Sequence, residues 1–377
     1  MELNPFRYGP IALDDAFTDR DAEVAALLSD ARNGQDVVIF APRRYGKTSL
    51  VRRVAQELAR RKALVAEINL MFTPTKEKLA GRLAQEVADH LLGPVARAKE
   101  NLRIFSGLRI TPTIAVDPVD GSFSFSFAGS HDPEDVDATL ERLLRLLPEL
   151  AAERKRAVVL IVDEFQEVVD IDPGLTKLLR SVFQEQPEVA HIYLGSKRHL
   201  TERIFNDANE PFWRSAKRME LGTIAPLAFK PFVLAGFRER GREIDEDVAD
   251  RVLAMTQGHP YATQELFYFL WEETPPRAKA DATRLAAALD KLLRSEHSHF
   301  TDLWDRARAN QRLLLTALAD EPGRPLTESY RVRHGLPGAS AMQKAIDALV
   351  QQEIVSKERG FVRISEPFYD EWIRRNA

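Results

Sequence analysis

The chain has 377 residues, enough for about two or three units that each bury a core, which excludes a peptide or a disulfide-stapled scaffold. Hydrophobic residues make up 44% and charged residues 29%, and no apolar run reaches the roughly 18 residues of a bilayer span. With no cysteine, disulfides, thiolate zinc sites, iron–sulfur clusters and cysteine nucleophiles are excluded; 53 Lys and Arg against 57 Asp and Glu leave a net charge of -4, which argues against polyanion binding driven by bulk charge.

The opening MELNPFRYGP lacks the basic start and apolar core of a signal peptide, so a cytoplasmic protein with no membrane partner is expected. Through about residue 225, short β-branched runs alternate with amphipathic stretches, the pattern of a parallel sheet covered by helices. Strands are predicted at 36–40, 64–70, 157–163, 191–195 and 218–223. The fold class expected is α/β, a parallel five-stranded sheet. Between the second and third strands, 103–129 reads as an inserted hairpin about the turn signal Asp117-Pro118-Val119-Asp120-Gly121. Phe123, Phe125 and Phe127 alternate with serines there, so one face is apolar and either packs on its own domain or meets a partner.

From about Lys230 the strands stop. Helices are predicted over FVLAGFRERG, DEDVADRVLAMTQ, YATQELFYFLWEE and 281–295, a group that suits a lid on a nucleotide domain. After Asn310 the order is helix, helix, helix, then two short strands about Glu358-Arg359-Gly360, the order of a winged helix. The domains expected are an α/β core over 1–228 with the hairpin insertion at 103–129, a helical lid over 229–300 and a winged helix over 301–377.

The strongest chemical signal follows the first strand. Ala41-Pro42-Arg43-Arg44-Tyr45-Gly46-Lys47-Thr48-Ser49 leads into a helix, where converging N–H groups and the helix dipole favour an anion. Gly46 permits the turn, Lys47 reaches for the β and γ phosphates of ATP, and Thr48 is placed to ligate Mg2+. The first position of this pattern is normally Gly and here is Ala41; the loop still forms if Ala41 keeps negative φ.

The third strand delivers Asp163 and Glu164 at its C-terminal end, the edge where open α/β sheets bind ligands. Asp163 fits as the carboxylate that holds Mg2+, and Glu164 as the base acting on the attacking water. If the next strand lies between these two, Ser196 sits beside the γ phosphate as a polar sensor; otherwise it caps the following helix. Arg214, ahead of the fifth strand, is either a cation for the transition state, in cis or from a neighbouring subunit, or a solvated surface charge.

APRRYGKTSL, LIVDEFQEV, YLGS followed by PFWRSAKR, Gly258-His259-Pro260 and the closing SEPFYDEWIRR together resemble the archaeal and bacterial P-loop ATPases of the AAA+/STAND group, akin to origin-recognition initiators. The resemblance covers nearly the whole chain. It implies that the segment from Phe17 to Asp21 closes over adenine, nominating Arg20, and that His259 and Pro260 contact nucleotide from the lid.

For the winged helix, 301–377 carries twelve Lys and Arg against eleven Asp and Glu, a balance that decides nothing. The third helix offers Gln343, Lys344, Asp347, Gln351 and Gln352; Arg331, Arg333, Lys357 and Arg359 are the candidate phosphate contacts. Two readings stay open: an ATPase whose nucleotide state controls assembly, as in a homo-oligomer, or the grip on double-stranded DNA, and a signalling switch whose winged helix binds protein.

Overall fold

Val37–Phe40, VVIF, has no exposed position, as expected of a strand covered on both faces, and in the computed structural model it pairs in parallel on both sides. The structure describes residues 3–9, 18–91, 105, 107–116, 123–127 and 132–377. The chain divides into two compact units, a sheet unit of Arg20–Arg43 and Lys47–Gly222 and a helical unit of Met1–Asp19, Arg44–Gly46 and Thr223–Ala377.

The sheet unit contains β1 (Val37–Phe40), β2 (Leu64–Asn69), β3 (Thr113–Val116), β4 (Phe123–Ser126), β5 (Val158–Asp163), β6 (Val189–Gly195) and β7 (Lys217–Glu220). Five of these form one sheet in the order β2-β5-β6-β1-β7, with every pairing parallel. Strand β6 therefore lies between β5 and β1, the condition on which the sensor reading of Ser196 depended. The longest helix, Pro133–Arg154, starts from Asp132, whose side chain accepts from Glu134 N at 2.9 Å, with Pro133 in the first turn. It buries Leu140, Leu143, Leu144 and Leu147, which recur at helical spacing, against the sheet unit's core.

The insertion is a hairpin, as read, but a shorter one. Its strands pair antiparallel from Thr113 opposite Ser126 to Val116 opposite Phe123, and 107–112 is not strand. Pro112 has no N–H to give a ladder, and Ile110 N instead donates to Thr139 Oγ1 at 3.2 Å. Phe125 and Phe127 are buried in the sheet unit's own core, with the rings of Phe105 and Phe125 5.1 Å apart. The expected turn, Asp117 to Gly121, and Phe17 ahead of Arg20 lie outside the described residues, as does the side chain of Phe123.

In the helical unit, helices span Pro226–Arg238, Glu246–Thr256, Pro260–Glu272 and Ala282–Ser295. Strand pairing does not stop at Lys230: β8 (Glu243–Ile244) and β9 (Lys279–Ala280) form a two-residue parallel pair, too short to leave a pattern in sequence. Near the N-terminus, Phe6 is fully buried among Phe232, Phe237 and Phe267, and Arg7 N donates to Gln264 Oε1 at 3.2 Å. The final part runs Ala309–Asp320, Glu328–Arg333, Ala339–Gln351, then β10 (Val355–Glu358) and β11 (Phe361–Ile364), with a last helix at Tyr369–Asn376. Between β10 and β11 only Arg359 and Gly360 intervene, both with positive φ, the form of a tight hairpin turn. Gly323 bridges Val362 as a third short edge of the wing. No described helix is long and apolar enough to cross a membrane.

Phe165, directly after the two candidate carboxylates, is fully buried, its ring centroid 4.7 Å from Tyr193, 5.0 Å from Phe212 and 5.5 Å from Phe205. Phe165→Ala is expected to lower the stability of the sheet unit by about 3–5 kcal/mol, measured by denaturant unfolding. A loss below about 1 kcal/mol would mean that this ring does not anchor the turn.

Candidate functional site

The phosphate-loop candidate is built as strand, loop and helix. Strand β1 ends at Phe40, and Lys47–Arg60 is helical, so Lys47, Thr48 and Ser49 occupy the first turn, where N–H groups lack intrahelical partners. Gly46 has φ +83 and Arg44 φ +65, whereas Ala41 is buried and not among the residues of positive φ, as the variant first position requires. The Lys47 side chain is buried, and its ammonium donates to the carbonyls of Ala41 at 2.8 Å and Pro42 at 3.0 Å.

The loop tip, Arg44–Gly46, groups with the helical unit. There Arg44 pairs with Glu366 at 3.2 Å and lies 4.4 Å over the Tyr261 ring. Tyr45 meets His259 edge to face at 4.6 Å. His259 caps Pro260–Glu272, its Nδ1 accepting from Ala262 N at 3.3 Å, with Pro260 in the first turn. Burial pushes the His259 imidazole down to about 4.

The carboxylates stand at the C-terminal edge of the sheet. Asp163 ends β5 in register with Asn69 at the end of β2, whose amide lies 3.4 Å from Asp163 Oδ2; Asp163 Oδ1 accepts from Glu164 N at 2.9 Å. Burial raises the Asp163 carboxyl above its ordinary value, opposed by that N–H bond and by the Lys47 charge. Glu164 turns out of the strand at φ +54, and its Oε2 accepts from Ser196 Oγ at 2.6 Å. The same oxygen accepts from Gln166 Nε2. Glu164 and Ser196, 32 residues apart, are thus brought together.

Arg20 and Arg214 are not in hydrogen-bonding contact with this group. Arg20 is buried, donating to the Gly222 carbonyl and, at 2.9 Å, to Glu23. Arg214 is exposed, 5.2 Å over the Trp213 ring. Sequence reasoning missed Asn69 and Gln166. A polar residue closing the strand AEIN and the glutamine of DEFQ were the only signals, and both read equally well as solvated positions. Among the described residues no three His, Cys, Asp or Glu cluster with metal-ligand geometry.

On the winged helix, the candidate cations are partly engaged. Arg331 donates to the Leu326 carbonyl, Arg333 pairs with Glu321 at 2.7 Å, and Lys357 donates to Gln343 at 3.3 Å.

Residues 17–266 match the family described as an ATPase domain predominantly from Archaea, and 298–375 match one described as "Probable winged helix domain". Comparison with curated protein sequences finds no match. Among solved structures, the Walker-type ATPase Paby2304 of Pyrococcus abyssi superposes with a TM-score of 0.66 at 16% identity, over 97% of this chain and 98% of that one. The Aeropyrum pernix ORC2 protein in its ADP form gives 0.52 at 12% identity, over 98% and 99%. The Aeropyrum pernix ORC1 protein in complex with DNA gives 0.50 at 15% identity, over 100% and 98%. At these identities the likeness is one of fold.

Beside Tyr261, Glu265 is 2% exposed and its Oε1 has no hydrogen-bond partner. Burial first, then the charges of Glu296 and Glu366, opposed by Arg44 and a bond from Tyr261, push its carboxyl up to about 8. The folded state holds this proton more tightly than the unfolded chain, so the stabilisation is complete below the ordinary 4.5 and drains as pH rises toward about 8. His259 has the opposite sign, losing stabilisation as pH falls from 6.5 toward about 4. The two opposite slopes offset each other where the windows overlap, so the thermal midpoint of the helical unit should fall with rising pH from about 6.5 toward about 8, and Glu265→Gln should flatten that fall. An unchanged slope in the variant would remove Glu265 as its source.

Proposed function

Because the chain belongs to this family of ATPase domains and is a P-loop ATPase with a winged helix, we propose that it binds ATP with Mg2+ and hydrolyses it, its nucleotide state controlling assembly or DNA binding through the winged helix. The observation that carries the catalytic reading is the 2.6 Å contact between Glu164 and Ser196 at the edge of the sheet that also bears Lys47 and Thr48. The donor set suits the ligand: a buried ammonium and first-turn N–H groups for phosphates, a hydroxyl and a carboxylate for a hard cation.

In this reading the loop residues Pro42, Arg43, Arg44, Tyr45, Gly46 and Ser49 enclose the phosphates, Lys47 holds their oxygens, and Thr48 with Asp163 holds the metal. Bound Mg2+ offsets the negative charge of the phosphate groups. Glu164 takes a proton from water at its carboxylate, and Ser196, bonded to that carboxylate, serves as the polar sensor beside the γ phosphate. Arg214 supplies a cation toward the transition state, from the same chain or from a second subunit. Arg20, His259 and Pro260 meet the nucleotide outside its phosphates. We assign the ATPase core to 1–228 with the insertion at 103–129, the lid to 229–300 and the winged helix to 301–377, in a cytoplasmic setting.

Lys47→Ala is expected to abolish MgATP binding in calorimetry, since it removes the loop's buried cation. Glu164→Gln should keep ATP affinity and lower turnover by roughly a hundredfold or more. Undiminished affinity in the first variant, or undiminished turnover in the second, would overturn the corresponding role.

A second reading, a signalling or scaffold switch whose winged helix binds protein, is favoured by the Arg333–Glu321 pair and by exposed Val332 and Phe361 on that domain. Fluorescence anisotropy of a labelled duplex with the ATP-loaded protein separates the two. DNA binding through Arg331, Arg333, Lys357 and Arg359 should fall with salt at a log–log slope of roughly -3 to -4, and Arg331→Glu with Arg333→Glu should weaken every duplex alike. No binding at low salt leaves the protein-partner reading.

A further inference from the structure

Gln166 follows the candidate carboxylates by two residues and is 2% exposed in the core of the sheet unit. Its amide nitrogen has two acceptors, and both are carboxylates: Glu164 Oε2 and, at 3.1 Å, Glu167 Oε1. Glu167 in turn pairs with Lys197 at 2.9 Å, immediately after Ser196. One continuous polar chain therefore runs Ser196, Glu164, Gln166, Glu167, Lys197, joining the ends of β5 and β6.

The other side of the amide is unsatisfied. Gln166 Oε1 is buried with no hydrogen-bond partner. A methionine or leucine would fill this volume without stranding a carbonyl, so packing alone does not account for a glutamine here. Turning the amide over would set its oxygen against two carboxylates, so the charges fix its orientation. Space for it is cut from the neighbouring strand: a Cβ on Gly195 would lie 2.8 Å from Gln166 Oε1 and 1.9 Å from Thr201 Oγ1.

We infer that Gln166 is a positioning residue for ATP hydrolysis, its amide holding the Glu164 carboxylate against Ser196 and separating it from the like charge of Glu167. This rests on Glu164 being the base of the proposed function. The amide's two N–H groups serve Glu164 and Glu167 at once, so each carboxylate is kept where the other would otherwise repel it. Lys197 pairs with Glu167, which leaves Glu164 as the carboxylate of this network without an ion-pair partner among the described residues.

The test is a double-mutant cycle of Gln166→Met and Glu164→Gln, with turnover, MgATP affinity and ligand-free thermal midpoint measured for all four proteins. Gln166→Met is expected to lower kcat by roughly tenfold or more while MgATP affinity changes less than about twofold, and to lower it no further in the Glu164→Gln background. In the ligand-free protein the thermal midpoints should be non-additive, because the two side chains are bonded before any nucleotide enters. Equal kcat loss in both backgrounds, or additive midpoints, would make Gln166 a packing residue and overturn the inference. Full turnover by Glu164→Gln alone would instead overturn the role of Glu164, a separate failure. If Gln166→Met does not fold, Gln166→Asn, which keeps an amide one methylene short, carries the same comparison.

Discussion

The site depends on one constraint, that β6 is sandwiched in parallel between β5 and β1. Residues Val158 to Val162 of β5 pair with Val189 to Tyr193 of β6, and Val37 to Phe40 of β1 pair with Ile192 to Gly195. All three strands run the same way and are buried almost to their ends, so the polar residues that close them emerge together at one edge. Asp163, Glu164 and Ser196 are neighbours for that reason, and the helix that begins at Lys47 opens from the same edge of β1. Antiparallel pairing of β6 would have sent Ser196 to the far side of the sheet.

That placement sets the electrostatics. Carboxylates at the rim of a buried sheet lose water, which is why Asp163 is raised above its ordinary value, and Glu67, one turn of the pleat back on β2, is raised for the same cause. The rim answers with hydrogen-bond donors as well as with cations. Asn69 faces Asp163, Ser196 and Gln166 face Glu164, and Arg52 pairs with Glu67 at 3.1 Å. Neutral donors hold a carboxylate in position without cancelling its charge, which suits the proposed roles of Asp163 in holding a cation and Glu164 in accepting a proton.

How much of this could be read from the sequence follows from what each signal depends on. The loop from Ala41 to Thr48, the Asp163-Glu164 strand end and the winged-helix order are local patterns, fixed by neighbours in the chain, and they stand in the structure as read. The meeting of Ser196 with Glu164 depended on strand order, which the sequence could state only as a condition. Asn69 and Gln166 were invisible because an isolated amide reads as solvated; only tertiary packing makes Gln166 buried and gives its nitrogen two carboxylates. The same limit hid Phe6, a lone aromatic near the N-terminus that the helical unit buries. In the insertion the pattern overreached, since an apolar run containing Gly107 and Pro112 matches a strand in periodicity but lacks the N–H groups and conformations to make one.

The winged helix shows why counting cations predicts little about their use. Arg331 and Arg333 sit on one short helix, yet one guanidinium is spent on the Leu326 carbonyl and the other on Glu321. Glu321 also has His334 Nε2 within 3.5 Å, so this carboxylate gathers its neighbours at the C-terminal end of the helix. A phosphate that recruited Arg333 would have to replace an existing partner, exchanging one charge-assisted bond for another instead of gaining one outright. Exchange of this kind lowers the net gain per contact but still releases counterions from a polyanion. Affinity and salt dependence therefore report different things here. A shallow affinity with a steep salt slope would mark cations that trade partners, whereas an apolar contact through Val332 and Phe361 would show almost no salt slope at all.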